Sequence, residues 1–170
     1  VEIDELLFEV FEEMKVISGG KHTIRIGDIE PAIVMGDRDR LKQVLLNLGV
    51  NAVNYTPEGG RIELGLGTRG DWVEIVVSDE GRGIPKEELG SIFERFYRGQ
   101  KSRTRSAGLT GFGLGLPIAY WIVRSHGGRI DVETQEGRGT TFTVWLPRSP
   151  VKMPPLSQKK RKESNSKEAD

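Results

Sequence analysis

Twice along this chain, two alternating apolar segments follow one another across a few turn residues. RIELGLG and WVEIVVSD flank the turn TRGD between residues 61 and 79, and GRIDVETQEG and RGTTFTVWLP run from 128 to 147. Alternation at period two marks strands buried on one face, and so short a turn makes the first pair an antiparallel hairpin. Each pair is preceded by a segment of helical period. From Asp39 to Tyr55 the apolar set Leu41, Val44, Leu45, Leu48 and Ala52 recurs at steps of three and four. LGLPIAYWIVRSH reads as a second helix, closed by Gly127 and Gly128 as C-cap residues. A third, amphipathic helix over residues 3–14 places Ile3, Leu6, Leu7, Val10, Phe11 and Met14 on one side. Strands grouped in pairs with helices between them are not the pattern of a doubly wound sheet. They predict an α+β two-layer sandwich, a mixed, mostly antiparallel sheet covered on one face by three helices.

The connecting segments are less regular. After Gly19 and Gly20, HTIRIGD and PAIVMGD read as two short strands, and PKEELGSIFERFY as a short helix with Pro85 at its entry. Residues 98–113 have no period and carry Arg98, Lys101, Arg103 and Arg105, the pattern of a long, mobile, functional loop. Beyond Pro147 the composition shifts to Pro, Ser, Lys and Glu, which predicts an ordered domain over 1–147 and a disordered tail over 148–170. The KKRK run at 159–162 reads as part of that solvated tail.

Composition removes several function classes. Lys+Arg of 25 balances Asp+Glu of 25, so no global charge draws nucleic acid or a membrane surface. Cysteine is absent, which excludes disulfides, thiolate metal sites and a cysteine nucleophile, and fits a reducing compartment. No apolar run approaches the roughly 20 residues of a membrane span, and no signal peptide is present. The chain opens VEIDELLFEVFEEM without an initiator Met and so reads as a piece of a longer protein.

Three features carry chemistry. GFGLGLPIAY gives up side chains at Gly111, Gly113 and Gly115 just before a helix that must pack. Bare backbone there suits an anion, since glycine-rich loops and helix N-termini both present N–H donors to phosphate. On the long helix, Asn47, Asn51 and Asn54 form a stripe beside the apolar face. Asparagine is a mediocre helix former, so the stripe is either a solvated face or a row of amide oxygens suited to a hard cation such as Mg²⁺. DEGRGIP, at the end of a strand, is either a plain turn or a binding element. In the second case Asp79 accepts the exocyclic amine proton of adenine while Gly81 and Gly83 let the base approach the backbone.

NLGVNAVNYTPEGG, SDEGRGIP, IFERFYRG and GFGLGLPIAYWIVRSHGGRIDVETQEGRGTTFTVWLP occur in this order. They resemble the N, G1, F and G2 boxes of the ATP-binding catalytic domain of sensor histidine kinases. That domain belongs to the GHKL superfamily shared with gyrase, heat-shock chaperones and mismatch-repair proteins. The resemblance covers residues 3–147 and implies a Bergerat-type sandwich that binds ATP and Mg²⁺. It also implies site residues. Asn51 coordinates Mg²⁺, with Asn47 beside the phosphates and Tyr55 near the base. Asp79 binds adenine over a floor shaped by Gly81, Gly83 and Ile84. Phe93 and Phe96 anchor a lid, and Arg98 reaches the phosphates. Gly111, Gly113, Leu114, Gly115 and Leu116 close over the triphosphate, and Thr140 touches the base region. Asn54 stands where the family often has Lys or Arg, and Phe112 where it often has Thr or Ser.

No catalytic nucleophile belongs to this chain under that reading. Its two histidines, His22 at a strand start and His126 at a helix end, read as structural. The phosphoacceptor histidine then lies on a separate dimerising helical domain of the parent protein, which is expected to be a homodimer that passes phosphate to a response regulator. The expected location is cytoplasmic, in a soluble parent or on the cytoplasmic side of a membrane-anchored one. Two other classes remain open: a GHKL ATPase clamp, and a non-catalytic nucleotide-binding regulatory module. An anti-sigma type serine kinase is a minor further option.

Overall fold

The structure, a computed structural model, describes residues 1–93 and 112–150, with backbone only for 112–114. Phe96, Arg98, Gly111, the rest of the 94–111 segment and the tail from 151 lie outside the described residues.

Helix α1 (Ile3–Ser18) buries Ile3, Leu6, Leu7, Val10 and Met14 and ends on Gly19, whose φ of 60° supplies the left-handed cap. Strand β1 (Thr23–Ile29) follows. Helix α2 (Arg38–Tyr55) starts where the Asp37 carboxylate accepts the Arg40 N–H, an N-cap that satisfies one of the free donors of the first turn. Strands β2 (Arg61–Arg69) and β3 (Trp72–Asp79) form the hairpin. A single helical turn, α3 (Lys86–Leu89), precedes α4 (Phe112–Ser125), and β4 (Arg129–Gln135) and β5 (Gly139–Pro147) complete the domain.

The strands make one sheet in the order β1-β2-β3-β5-β4. β1 runs parallel to β2 and every other pairing is antiparallel. Cross-strand register sorts the covered face into rows. Leu66, Ile75, Val144 and Ile130 form one, and Leu64, Val77, Phe142 and Val132 the next. Most of these side chains are fully buried against the helices and form the sheet's share of the hydrophobic core. The alternating residues between them point away from the helices and are at most partly buried. α2 lies between α1 and α4 and touches both. A side chain on Gly49 would place its Cβ 2.6 Å from the Met14 sulfur, so glycine sets the close approach of α1 and α2.

Three expectations change. PAIVMGD is not a strand: Ile33 and Val34 make isolated bridges to Glu2 and Arg148. Its backbone bonds divide between the chain start, through Val34 N–H to Val1 O, and Ser149, whose N–H reaches Ile33 O, so no ladder extends. Within the described part of the helix expected over 85–97, only α3 is helical, stopped at Gly90 with turns through Phe93, and residues 94–97 lie outside the described residues. Finally, α4 begins at Phe112, so Phe112 and Gly113 belong to a helix rather than a loop. Tertiary contact overrides glycine's poor propensity there, because the Asn47 side-chain amide donates to Gly115 O at 3.0 Å and holds the first turn against α2.

Candidate functional site

The apolar rows of the sheet stop one step before its end. In each of three neighbouring strands, the period-two set that faces the helices finishes on a polar residue. β3 reads Val73, Ile75, Val77, Asp79; β5, from its far end, Leu146, Val144, Phe142, Thr140; β4 reads Ile130, Val132, Thr134. Register places Asp79 opposite Thr140, and Thr140 opposite Thr134, so the three form one polar row beside Ile62.

Asp79 is only 8% exposed. Burial pushes its carboxyl up from 3.8 to about 6, because the charged form loses water, while backbone N–H groups of Gly81 and Thr140 pull it partly back. The Gly81 N–H donates to Asp79 Oδ1 at 2.8 Å. Such a group is an ionised acceptor at neutral pH, with one lone-pair direction tied to the backbone. Among the described residues no lysine or arginine contributes to its shift, so none of them forms a salt bridge with it.

The turn after Asp79 is fixed by contact rather than by propensity. A Cβ on Gly81 would lie 2.7 Å from Tyr55 O, and one on Gly83 would lie 2.3 Å from Gln135 O, where φ is also +72°. Only glycine fits at Gly83. Arg82 N–H donates to Tyr55 O at 3.3 Å, and its guanidinium stands 4.3 Å from the Tyr55 ring centroid, an attractive stacking geometry. The turn is thereby fastened to the C-terminal end of α2, and through Ile84 N–H, which donates to Thr134 Oγ1 at 2.9 Å, to β4.

On α2, one turn of helix separates Asn47 from Asn51. Asn51 is buried, and among the described residues none hydrogen-bonds its amide. Asn47 is committed to Gly115 O, and Asn54 is half-buried. Leu116 joins the core and Ile84 packs against it. Gly113 and Leu114 lie in the first turn of α4, while Arg98 and Gly111 fall outside the described residues. Phe93 packs its ring 5.4 Å from Tyr120 and 6.4 Å from Phe142, which ties the chain entering the 94–111 segment to α4 and β5.

Both histidines are engaged with backbone. His22 Nε2 lies 2.7 Å from Thr56 O and its Nδ1 2.9 Å from Ser18 Oγ. His126 accepts the Asp37 N–H on Nε2, with Nδ1 2.7 Å from Ile122 O. The sequence reading passed over Thr134 and Arg82. The signal for Thr134 was present, since it ends the alternating series Ile130, Val132; for Arg82 there was none, because its partner Tyr55 is distant in the chain.

The sequence profile of the histidine kinase-, DNA gyrase B- and HSP90-like ATPases matches residues 36–150. Among curated proteins, the sensor histidine kinase WalK of Bacillus subtilis is 46% identical over 113 residues, 65% of this chain and 18% of its own. The sensor-like histidine kinase SenX3 of Mycobacterium bovis is 37% identical over 148 residues, 86% of this chain and 36% of its own. The chain thus spans well under half the length of these relatives. Among solved structures, the mycobacterial sensor histidine kinase MprB superposes with a TM-score of 0.77 at 29% identity, covering 89% of this chain and 99% of that one. The nucleotide-free catalytic domain of histidine kinase ThkA does so with a TM-score of 0.71 at 32% identity, over 88% and 98%. Sheet order, helix layer and sequence profile agree: this chain belongs to the histidine kinase-, DNA gyrase B- and HSP90-like ATPase family, with the fold of a histidine kinase catalytic domain.

Proposed function

We propose that this chain binds Mg·ATP between α2, the turn after Asp79 and the N-terminal end of α4, and presents the γ-phosphate to a histidine on another part of its parent protein. The observation that carries this reading is the buried Asp79, unbridged among the described residues, at the end of an otherwise apolar sheet face. A carboxylate that costs stability and has no cation partner is a binding group more readily than a structural one. Asp79 accepts the adenine amine, Gly81 and Gly83 admit the base, and Thr140 and Ile84 border it. Tyr55 flanks the base edge. Gly111, Gly113, Leu114, Gly115, Leu116 and Arg98 serve the phosphates.

Mg²⁺ fits the residues present. Among the described residues no group of three or more His, Cys, Asp or Glu side chains gathers, so the donor set suits an ion that arrives with its phosphates. The amide oxygen of Asn51, a buried residue whose side chain no described residue hydrogen-bonds, would be the ligand, and Mg²⁺ would supply charge neutralisation on the transferring phosphoryl group.

Asn47 supports transfer over hydrolysis. Its amide cannot take a proton from water at neutral pH, and its Nδ2 is already donating to Gly115 O. The acceptor is therefore a protein nucleophile, a histidine of a dimerising helical domain, and the phosphate then passes to a response regulator. Among the described residues no helix is long and apolar enough to cross a membrane. We place the domain on the cytoplasmic side in either a soluble or an anchored parent.

The test uses radiolabelled ATP. The chain alone should bind Mg·ATP, hydrolyse it negligibly and remain unlabelled. Mixed with the helical domain of its own parent, it should transfer label that is lost in acid and kept in base, as a phosphoramidate behaves. Rapid hydrolysis by the chain alone would point to a clamp ATPase, and an acid-stable serine label to an anti-sigma type kinase. Either result ends the histidine kinase reading.

A further inference from the structure

Thr134 sits at the centre of a hydrogen-bond junction that none of the site roles above uses. Its hydroxyl receives the Ile84 N–H at 2.9 Å, lies 3.1 Å from Gly139 O and 2.9 Å from Thr140 Oγ1. A threonine hydroxyl has one proton and two lone pairs. The Gly139 carbonyl can only accept and the Ile84 N–H can only donate. The arrangement that satisfies every group sends the Thr134 proton to Gly139 O and fills its lone pairs with Ile84 N–H and the Thr140 hydroxyl proton.

The consequence falls on Thr140. With its proton committed to Thr134, the Thr140 hydroxyl has only lone pairs left to offer. Thr140 is 6% exposed and is the cross-strand partner of Asp79, whose carboxylate also only accepts. The row therefore presents two neighbouring acceptors. A 6-amino purine brings two N–H donors to such a pair, whereas a 6-oxo purine brings only its N1–H and sets a carbonyl oxygen against an acceptor where the amine would donate. Sites built to hydrogen-bond one group reject the analogue that lacks it far more strongly than apolar pockets reject an extra atom.

We propose that Thr134 is a positioning residue that sets the polarity of the Thr140 hydroxyl and so selects a 6-amino over a 6-oxo purine nucleotide. This rests on the nucleotide-binding reading above. It differs from a merely structural role in what it moves. The bond from Ile84 N–H to Thr134, if lost, loosens the turn and weakens every nucleotide alike. The proton assignment, if lost, lets Thr140 O–H turn toward a carbonyl and changes the preference between bases.

Titration calorimetry of the full chain with ADP and with inosine diphosphate separates the two. The wild type should prefer ADP strongly. Thr134→Val should lower the ADP-to-inosine-diphosphate affinity ratio at least about tenfold, since one hydrogen bond is exchanged for its opposite. Thr134→Ser should hold the ratio within about twofold, because the hydroxyl is retained. In a Thr140→Val background, Thr134→Val should leave the ratio unchanged, as expected of residues acting through one bond. Should Thr134→Val fail to fold, Thr134→Cys, similar in size with a poor acceptor, must lower the ratio in the same direction. Equal loss of both affinities in a folded Thr134 variant, or a wild type that binds ADP without base preference, overturns the inference. Binding of neither nucleotide by the wild type instead removes the reading on which it rests.

Discussion

The two ends of one sheet face differ sharply in what they bury. At one end, Leu66, Ile75, Val144 and Ile130 meet the helices as hydrocarbon alone. At the other, Asp79, Thr140 and Thr134 occupy the same face on the same strands, with a carboxyl raised to about 6 by its burial. The backbone is continuous between them, so the difference lies in side chains alone. The apolar end gains stability from every contact it makes, while the polar end holds a charged group where water has been removed. Evolutionary or engineered change at the first end should read out as stability and at the second as ligand selection. Each of the following experiments can blur or sharpen that division.

The largest effect belongs to the apolar end. Ile75→Ala deletes a side chain that is 1% exposed at the centre of the sheet and should cost about 2–5 kcal/mol in urea unfolding. Its ADP affinity, measured where the variant is still folded, should stay within about threefold of wild type, since the contact lies remote from the polar row. A large affinity loss in the folded variant would show that the two ends are not separable.

Asp79→Asn should move stability the other way. The folded carboxyl holds its proton up to about pH 6 and the unfolded one only to about 3.8. Between those values the folded state carries more protons, so this group's contribution to stability is greatest below the lower value and declines as pH rises through the upper one. The complete decline amounts to at most about 3 kcal/mol. The asparagine variant removes it, and its Oδ1 still accepts from Gly81. Relative to wild type it should therefore gain up to about 3 kcal/mol on going from pH 3.5 to pH 8, read as unfolding midpoints across that range. A constant difference would mean that burial does not strain Asp79.

For ligand selection, Asp79→Ala should weaken ADP about ten- to a hundredfold, corresponding to about 1.5–3 kcal/mol for a bond to a charged acceptor. Calorimetry on a variant with native circular dichroism measures it, and unchanged affinity would take Asp79 out of the site. The smallest effect is at Asn47→Ala. Losing its bond to Gly115 O should cost about 0.5–1.5 kcal/mol of stability, with amide exchange rising in the first turn of α4. Unaltered exchange there would free Asn47 for the phosphates rather than for the helix.

The architecture was largely legible in the sequence because period carries it. Alternation in WVEIVVSD and RGTTFTVWLP and the three-four spacing from Leu41 to Ala52 each report a face, and faces determine layers. Edge segments were less legible. PAIVMGD has strand-like composition, but whether it ladders depends on what lies beside it, and its neighbours are single residues, Glu2 and Arg148, far from it in the chain. α4 was misjudged at its start for a related reason: Phe112 and Gly113 favour no helix by themselves.

By itself, the sequence determined which residues stand on which face and which segments are candidates for chemistry, because side-chain period and glycine placement are local properties. It singled out Asp79 and Asn51 as candidates from their own segments, and Thr140 entered through the family resemblance alone. Tertiary structure alone decided that Asp79, Thr140 and Thr134 share a row, that Arg82 stacks on Tyr55, and that Gly83 must be glycine because Gln135 O stands where a Cβ would go. These pairings join residues far apart in the chain, and strand register fixes the row of Asp79, Thr140 and Thr134. Register is a property of two strands together, so neither strand can state it alone.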